Sequence, residues 1–194
     1  MRPSDDRRPV VTLFGDSISA GYGLSVPEAL PVRLEAALHA LSVPAQVVGA
    51  GRDGDTTADG LSRLDASVPG QTDLCIVALG ANDLMQGLPP LQVMNSLDAI
   101  VTAIRARGID VLLCGMKAPP WLARYAPAFD AVFPTIAARH GVPLYPFLLE
   151  GVALDPRFNQ GDHIHPNAAG IQIIANGLAP AVRDALSSPR SDRR

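Results

Sequence analysis

Short apolar runs alternate with segments of helical periodicity along the whole chain. Five runs have the length and composition of buried strands: 10–14, 46–48, 74–79, 109–114 and 142–147. Between these runs, apolar residues recur at intervals of three and four, in segments that start near Leu30, Val93, Phe129 and Ile171. Continuously apolar strands separated by helices form parallel sheets that are covered on both faces. The sequence therefore predicts an α/β protein, a three-layer α/β/α sandwich around a five-stranded parallel sheet.

The chain length is that of one domain. A chain of 194 residues buries enough surface for a single core, and neither an internal repeat nor a linker composition interrupts the alternation. We expect one domain over 1–194, with flexible tails at 1–8 and 187–194. Cys75 and Cys114 lie inside apolar runs, which predicts two buried thiols.

Charge and hydropathy limit the partners that the chain is expected to have. Sixteen basic residues against 19 acidic ones give a formal charge of −3, so nothing favours nucleic acid or an anionic membrane surface. No stretch approaches the roughly 18 apolar residues of a membrane span, and the first residues carry no apolar segment of the signal-peptide type. We expect a small-molecule partner, no membrane insertion, and a cytoplasmic location, or a periplasmic or secreted one if a leader was removed. The oligomeric state is left open.

Ser17 is the candidate nucleophile. In parallel sheets the working site lies beyond the carboxyl ends of the strands, and Gly15-Asp16-Ser17 directly follows the first run. A serine hydroxyl needs a base, and His163 and His165 lie together ahead of the last helix, whereas His39 and His140 are expected at the surface.

The last histidine has a candidate partner three residues earlier. Pro166 confines His165 to an extended backbone and fits the first turn of a helix. Asp162 could orient the imidazole, which gives the order Ser, Asp, His. Asp162 could equally be a capping carboxylate in a loop.

Acyl transfer also needs donors for a developing oxyanion. Three candidates follow strands: the N–H groups of Ser17 and Gly54, and the side-chain amide of Asn82, although Asn82 could simply form a turn.

Two other chemistries are disfavoured by spacing. Zinc would need further ligands beside Asp162, His163 and His165, so no metal is expected. Residues 49–54 read G-x-G-x-x-G, but polar residues follow and no acid closes the next strand, which argues against a dinucleotide site. No cofactor is implied.

Four sequence blocks together resemble the GDSL, or SGNH, hydrolases. GDSISAGYG at 15–23 resembles the first block of that family, GDT at 54–56 the second, GAND at 80–83 the third and DHIHP at 162–166 the last. The chain is most similar to the bacterial arylesterase, thioesterase I and lysophospholipase L1 subgroup. The resemblance implies a flavodoxin-like sandwich and a serine esterase.

The resemblance also implies roles for the residues that match the blocks. Ser17 would be the nucleophile, His165 the base and Asp162 its partner, with Ser17, Gly54 and Asn82 as the oxyanion hole. His163 stands where members of the family often have glycine, so it is expected either to crowd this site or to touch substrate.

The substrate is less constrained than the reaction. Apolar loops at 84–90 and 118–122 predict an acyl or aryl site, and the residues expected to line it are Asp16, Leu84, Met85, Pro119, Trp121 and His163. The expected substrates are short-chain or aryl esters, with thioesters and lysophospholipids as further candidates. Trp121 and Tyr125 could instead stack on a sugar, as in a carbohydrate (acetylxylan-type) deacetylase. A non-catalytic ligand-binding module is the remaining alternative.

Overall fold

A computed structural model describes residues 7–188, and its elements alternate as the sequence predicts. The strands are β1 (Val10–Gly15), β2 (Gln46–Gly51), β3 (Leu74–Ala78), β4 (Asp110–Cys114) and β5 (Leu144–Tyr145). The helices are α1 (Ser17–Ala20), α2 (Leu30–Ala40), α3 (Thr57–Ser67), α4 (Ala81–Met85), α5 (Pro90–Ala106), α6 (Ala126–Asp130), α7 (Val132–His140) and α8 (Ala168–Ser187). Two 3₁₀ turns lie at Val26–Glu28 and Pro120–Leu122.

The five strands form one parallel sheet in the order β2-β1-β3-β4-β5. All residues of β1 and β3 are buried, because both faces of the sheet are covered by helices. Helices α2 and α8 pack on each other, while α5 packs against both α3 and α7. The predicted α/β sandwich with a five-stranded parallel sheet is confirmed.

Most of the predicted core is buried as expected. Leu34, Leu38, Ile100 and Val101 are fully inaccessible to solvent because the apolar faces of their helices lie against the sheet. Cys75 and Cys114 are buried free thiols, as predicted. Burial raises the pKa of the Cys75 thiol to about 12, so this side chain behaves as a small apolar group.

Proline explains why two elements differ from prediction. Strand β5 is shorter than the predicted run 142–147, since Pro143 and Pro146 flank it and neither has an N–H for the ladder. The helix predicted around 129–136 is split at Ala131, because Pro134 has no N–H to donate to the carbonyl of Asp130.

The terminal predictions fall mostly outside the described residues. Of the tails expected at 1–8 and 187–194, residues 1–6 and 189–194 are not described. Arg7, which lies in the predicted N-terminal tail, forms an ion pair with Asp73 at 2.7 Å. Ser187 ends α8.

The start of α8 is fixed by the loop that precedes it. Asn167 caps the helix by accepting the N–H of Gly170 at 3.0 Å, and an antiparallel bridge joins Asn159 to Pro166. A Cβ on Gly170 would lie 2.2 Å from the carbonyl oxygen of Phe158, so only glycine allows this close approach. These contacts bring residues 162–166 to the edge of the sheet where β1 ends.

Candidate active site

Ser17 begins α1 directly after β1, at the carboxyl edge of the sheet. Asp16 caps this short helix, its carboxylate accepting the N–H of Ile18 at 3.1 Å. A Cβ on Gly15 would lie 2.2 Å from the hydroxyl of Ser19 and 2.5 Å from the carbonyl oxygen of Ala78. Glycine at position 15 therefore lets α1 turn sharply over the strand ends and leaves Ser17 only 6 % exposed.

The loop before α8 brings a histidine and an aspartate to Ser17. The imidazole Nε2 of His165 lies 3.0 Å from Ser17 Oγ, and its Nδ1 lies 2.6 Å from Asp162 Oδ2. The other carboxylate oxygen of Asp162 accepts the N–H groups of Ile164 and His165 at 2.9 and 3.0 Å. An ionised carboxylate only accepts, so Nδ1 carries the proton and the lone pair of Nε2 faces the serine.

Hydrogen bonds to the ionised form control the charge of Asp162. The bond from the His165 side chain contributes most, followed by the two backbone N–H groups, and together they lower the pKa of Asp162 to about 2. This carboxylate therefore stays negative throughout the neutral pH range, where it stabilises a positive charge on the adjacent imidazole.

Tyr22 and Gln160 hold the histidine loop against α1, and sequence reasoning missed both residues. The ring of Tyr22 stacks on the imidazole of His165 with 4.3 Å between centroids and 33° between planes. The side-chain amide of Gln160 donates to the carbonyl oxygens of Tyr22 at 2.8 Å and of Pro166 at 3.0 Å. Because 138 residues separate Gln160 from Tyr22, no local pattern could have indicated this link.

The three predicted oxyanion donors lie in segments that follow β1, β2 and β3. Gly54 has a φ of +79°, a Cβ there would have open space around it, and no hydrogen bond of its N–H group occurs within residues 7–188. The amide of Asn82 donates one hydrogen to the carbonyl of Asp55 at 2.9 Å, which leaves a second. The N–H of Ser17, the third predicted donor, belongs to the first residue of α1.

Asn82 owes its position to a buried network. Its neighbour Asp83 is fully buried and accepts the N–H and hydroxyl of Thr57 at 2.8 and 2.6 Å. These bonds tie α4 to the start of α3. Burial raises the pKa of Asp83, and the two bonds from Thr57 counter that effect.

Asp16 is the second carboxyl group next to Ser17. It is 2 % exposed, and burial raises its pKa to about 7, although the hydrogen bond from the N–H of Ile18 and the electrostatic influence of His165 act in the opposite direction. Its contact with substrate stays a prediction.

The remaining residues predicted to bind substrate differ in exposure. Leu84 packs on the core, whereas Met85 is 54 % and Trp121 69 % exposed, with Pro119 capping the turn that carries Trp121. The loop 84–90 contacts the segment just after the second loop, since the hydroxyl of Tyr125 donates to the carbonyl of Leu88 at 2.6 Å. Their contact with substrate remains a prediction.

His163 has an unusual backbone conformation. Its φ is +61°, in the left-handed region that favours glycine, and its side chain is exposed beside Asp162. The bonds from His165 to Asp162 and Ser17 are formed with His163 in place. The other two histidines lie elsewhere: His39 is exposed, while His140 is more buried than predicted because its ring bonds Asp98 at 2.9 Å.

Two further features concern ligands and membranes. Within residues 7–188, no cluster of three or more His, Cys, Asp or Glu side chains is arranged to hold a metal ion. In the same range, every helix is too short or too polar to cross a bilayer.

Comparisons with known proteins identify the family of this chain. The sequence pattern of the GDSL-like Lipase/Acylhydrolase family matches residues 13–173. The chain is 37 % identical over 169 residues to thioesterase 1/protease 1/lysophospholipase L1 of Escherichia coli K12, covering 86 % of this chain and 80 % of that protein. It is 33 % identical over 169 residues to the arylesterase of Vibrio mimicus, covering 86 % and 84 %.

A solved structure shares the fold over nearly the whole length. AlinE4, described as an SGNH-hydrolase family esterase, is 41 % identical, with a TM-score of 0.77 over 94 % of this chain and 98 % of that one. The chain therefore belongs to the GDSL-like lipase/acylhydrolase family, the SGNH hydrolases, and is a carboxylic ester hydrolase.

Proposed function

We propose that this esterase works through a Ser17-His165-Asp162 triad and an acyl-enzyme on Ser17. The observation that carries the proposal is the line of two hydrogen bonds, 3.0 Å from Ser17 Oγ to His165 Nε2 and 2.6 Å from Nδ1 to Asp162. Both lengths lie within the range that proton transfer and base orientation require.

The first half-reaction forms the acyl-enzyme. Nε2 of His165 takes the hydroxyl proton while Oγ of Ser17 adds to the ester carbonyl carbon, and the resulting tetrahedral oxyanion accepts hydrogen bonds from Ser17, Gly54 and Asn82. Each such donor contributes roughly 3 kcal/mol to transition-state stabilisation. The C–O bond to the alcohol then breaks, and the alcohol leaves with the proton held on Nε2.

The second half-reaction restores the enzyme. His165 removes a proton from water, the resulting hydroxide adds to the acyl carbon, and the carboxylic acid leaves as Ser17 recovers its proton. Asp162 stabilises the imidazolium in both halves without itself becoming protonated, in keeping with its depressed pKa of about 2.

Short-chain acyl and aryl esters are the proposed substrates. Met85 and Trp121 present exposed apolar surface on the two loops at the carboxyl edge of β3 and β4, which suits an apolar acyl or aryl group. The arylesterase relative supports aryl esters as substrates. The relative named thioesterase 1/protease 1/lysophospholipase L1 makes thioesters and lysophospholipids further candidates.

The exposure of Trp121 favours one second candidate. An indole that is 69 % exposed can stack on a sugar ring, as the substrate of a polysaccharide deacetylase would require. The triad would then release acetate from a carbohydrate by the same chemistry.

A substrate panel with a serine variant tests both points. We would assay p-nitrophenyl acetate, longer p-nitrophenyl esters, an acyl-CoA and acetylated xylan, and expect the best kcat/KM on aryl or short-chain esters. Ser17→Ala should lower kcat by several orders of magnitude. The matched control is Ser19→Ala, because the hydroxyl of Ser19 is buried and has no hydrogen-bond partner within residues 7–188.

The outcomes separate the candidates. Best turnover on xylan would favour the deacetylase. Equal activity of Ser17→Ala and Ser19→Ala would reject the proposed nucleophile, and binding without turnover would favour a ligand-binding module.

A further inference from the structure

Arg63, on α3, contacts several segments at the carboxyl edge of the sheet. Its guanidinium donates to the carbonyl oxygens of Gly15 at 2.8 Å and Ala50 at 3.0 Å, and its Nε forms an ion pair with the Asp55 carboxylate. It also donates to the hydroxyl of Ser67 at 3.0 Å and covers the ring of Phe14 at 4.6 Å. The side chain is 14 % exposed.

Three of these contacts lie on segments that carry the proposed oxyanion donors. Gly15 ends β1 two residues before Ser17, and Ala50 lies near the end of β2, which continues toward Gly54. The third contact, with Asp55, involves a residue that is linked to two donors. Asp55 follows Gly54 directly, and its own carbonyl accepts the amide of Asn82 at 2.9 Å.

The ion pair between Arg63 and Asp55 also balances a buried negative charge next to Gly54. Asp55 is 5 % exposed, and its carboxylate would be a buried negative charge without a close cation. The other nearby cation, Arg52, is 3.9 Å from Asp55 and has a side chain that is 72 % exposed. An unbalanced carboxylate next to Gly54 would oppose the negative charge that forms on the substrate oxygen.

We propose that Arg63 is a positioning residue for hydrolysis, which fixes the three oxyanion donors relative to one another and neutralises Asp55 beside them. This inference rests on the proposed function, since it concerns the donors of that same reaction. Arg63 acts through backbone and carboxylate groups and has no contact with the reacting atoms. Its loss should therefore reduce kcat more than it changes KM.

The test compares Arg63→Ala and Arg63→Lys with Arg107→Ala, using p-nitrophenyl acetate. Arg107 is the matched control because its guanidinium also clamps α3, donating to the carbonyl of Val68 at the far end of that helix. We expect Arg63→Ala to lower kcat about tenfold to a hundredfold with little change in KM. Arg107→Ala should lower only the melting temperature.

Two further measurements distinguish positioning from general destabilisation. Millimolar guanidinium, well below denaturing concentrations, should raise kcat of Arg63→Ala because the ion can refill the site, and should leave Arg107→Ala unchanged. Arg63→Lys should keep the fold and part of the activity, since an ammonium pairs with Asp55 but lacks the planar fork that reaches two carbonyls. If Arg63→Ala does not fold, Arg63→Lys decides the question.

The double variant Arg63→Met/Asp55→Asn tests the charge component. It should recover part of the kcat lost in Arg63→Met, because the unpaired carboxylate is gone. A wild-type kcat in every folded Arg63 variant would overturn the inference while leaving the esterase intact. Wild-type protein as inactive as Ser17→Ala would instead overturn the proposed function.

Discussion

Tyr22 covers one face of the imidazole that we propose as the base. Its ring lies 4.3 Å from that of His165, and Gln160 holds the backbone beneath it by donating to the Tyr22 carbonyl. An aromatic face restrains the imidazole and attracts it once it is positively charged, an effect worth about 0.5–1 kcal/mol at exposed sites.

We therefore expect Tyr22→Ala to lower kcat/KM by about threefold to tenfold. Tyr22→Phe retains the ring and should remain close to wild type. Steady-state kinetics on p-nitrophenyl acetate check the pair. Equal losses in both variants would mean that the hydroxyl, and not the ring, is what matters.

Asp16 should make stability depend on pH in an unusual direction. Its pKa rises from the ordinary 3.8 to about 7 on folding, so between these values the folded protein binds more protons than the unfolded chain. The free energy of unfolding therefore falls as pH rises in this range. The contribution of Asp16 to stability is fully present below about pH 4 and is lost as pH rises through 7.

Asp16→Asn removes this dependence while its amide oxygen can still accept the N–H of Ile18. The free energy of unfolding of wild type relative to this variant should fall by a few kcal/mol from pH 4 to pH 8. Urea unfolding at several pH values gives the comparison. A difference that is constant with pH, or that grows as pH rises, would contradict the raised pKa.

At the residue scale, the sequence predicts the residues proposed for the triad but not the residues that hold them in place. Ser17, Asp162 and His165 could be named from their residue types and spacing, and the structure places them within hydrogen-bond distance. The left-handed backbone of His163 explains why glycine suits this position, but the angle itself depends on the folded loop. The roles of Arg63 and Gln160 were missed because a single polar side chain forms no pattern, and their bonds to Gly15 and Tyr22 join positions 48 and 138 residues apart.

At the scale of elements, the entry to α8 sets where His165 lies. Gly170→Ala would place a Cβ 2.2 Å from the Phe158 carbonyl oxygen, so the loop or the helix must move. We expect a loss of about 1–3 kcal/mol in stability, as for other overpacked sites, together with a lower kcat.

Gly161→Ala is the matched control in the same loop. A Cβ at Gly161 meets nothing within 4 Å, so both stability and kcat should stay near wild type. Thermal unfolding and kinetics on both variants check the prediction. Comparable behaviour of the two would show that the tight contact at Gly170 does not fix the loop.

Long helices with an apolar face were predicted well, and polar or very short helices were not. Helices α2, α5 and α8 have apolar faces, which the sequence shows as apolar residues at helical spacing. Helix α3 was missed because its segment is polar, and α4 because five residues are too few to show a period. Strand β2 runs three residues past its predicted end, since Gly49 and Gly51 weaken the strand signal but allow close packing against Pro31 of α2 and against α1, respectively.

At the scale of the whole molecule, the parallel sheet explains why distant blocks meet. All five strands point the same way, so the segments after β1, β2 and β3 emerge at one edge, and α8 returns the last block to it. The sequence could predict this convergence from the alternation of elements alone. The hydrogen bonds and side chains that hold the edge together depend on tertiary packing, which the sequence pattern does not display.

The most direct test of the account is the site of covalent capture by a p-nitrophenyl alkylphosphonate, read by intact mass and peptide mapping. We predict one phosphonyl group per chain, attached to Ser17, with esterase activity lost in proportion to labelling. Stoichiometric labelling at another residue, or full turnover by the labelled protein, would contradict the account.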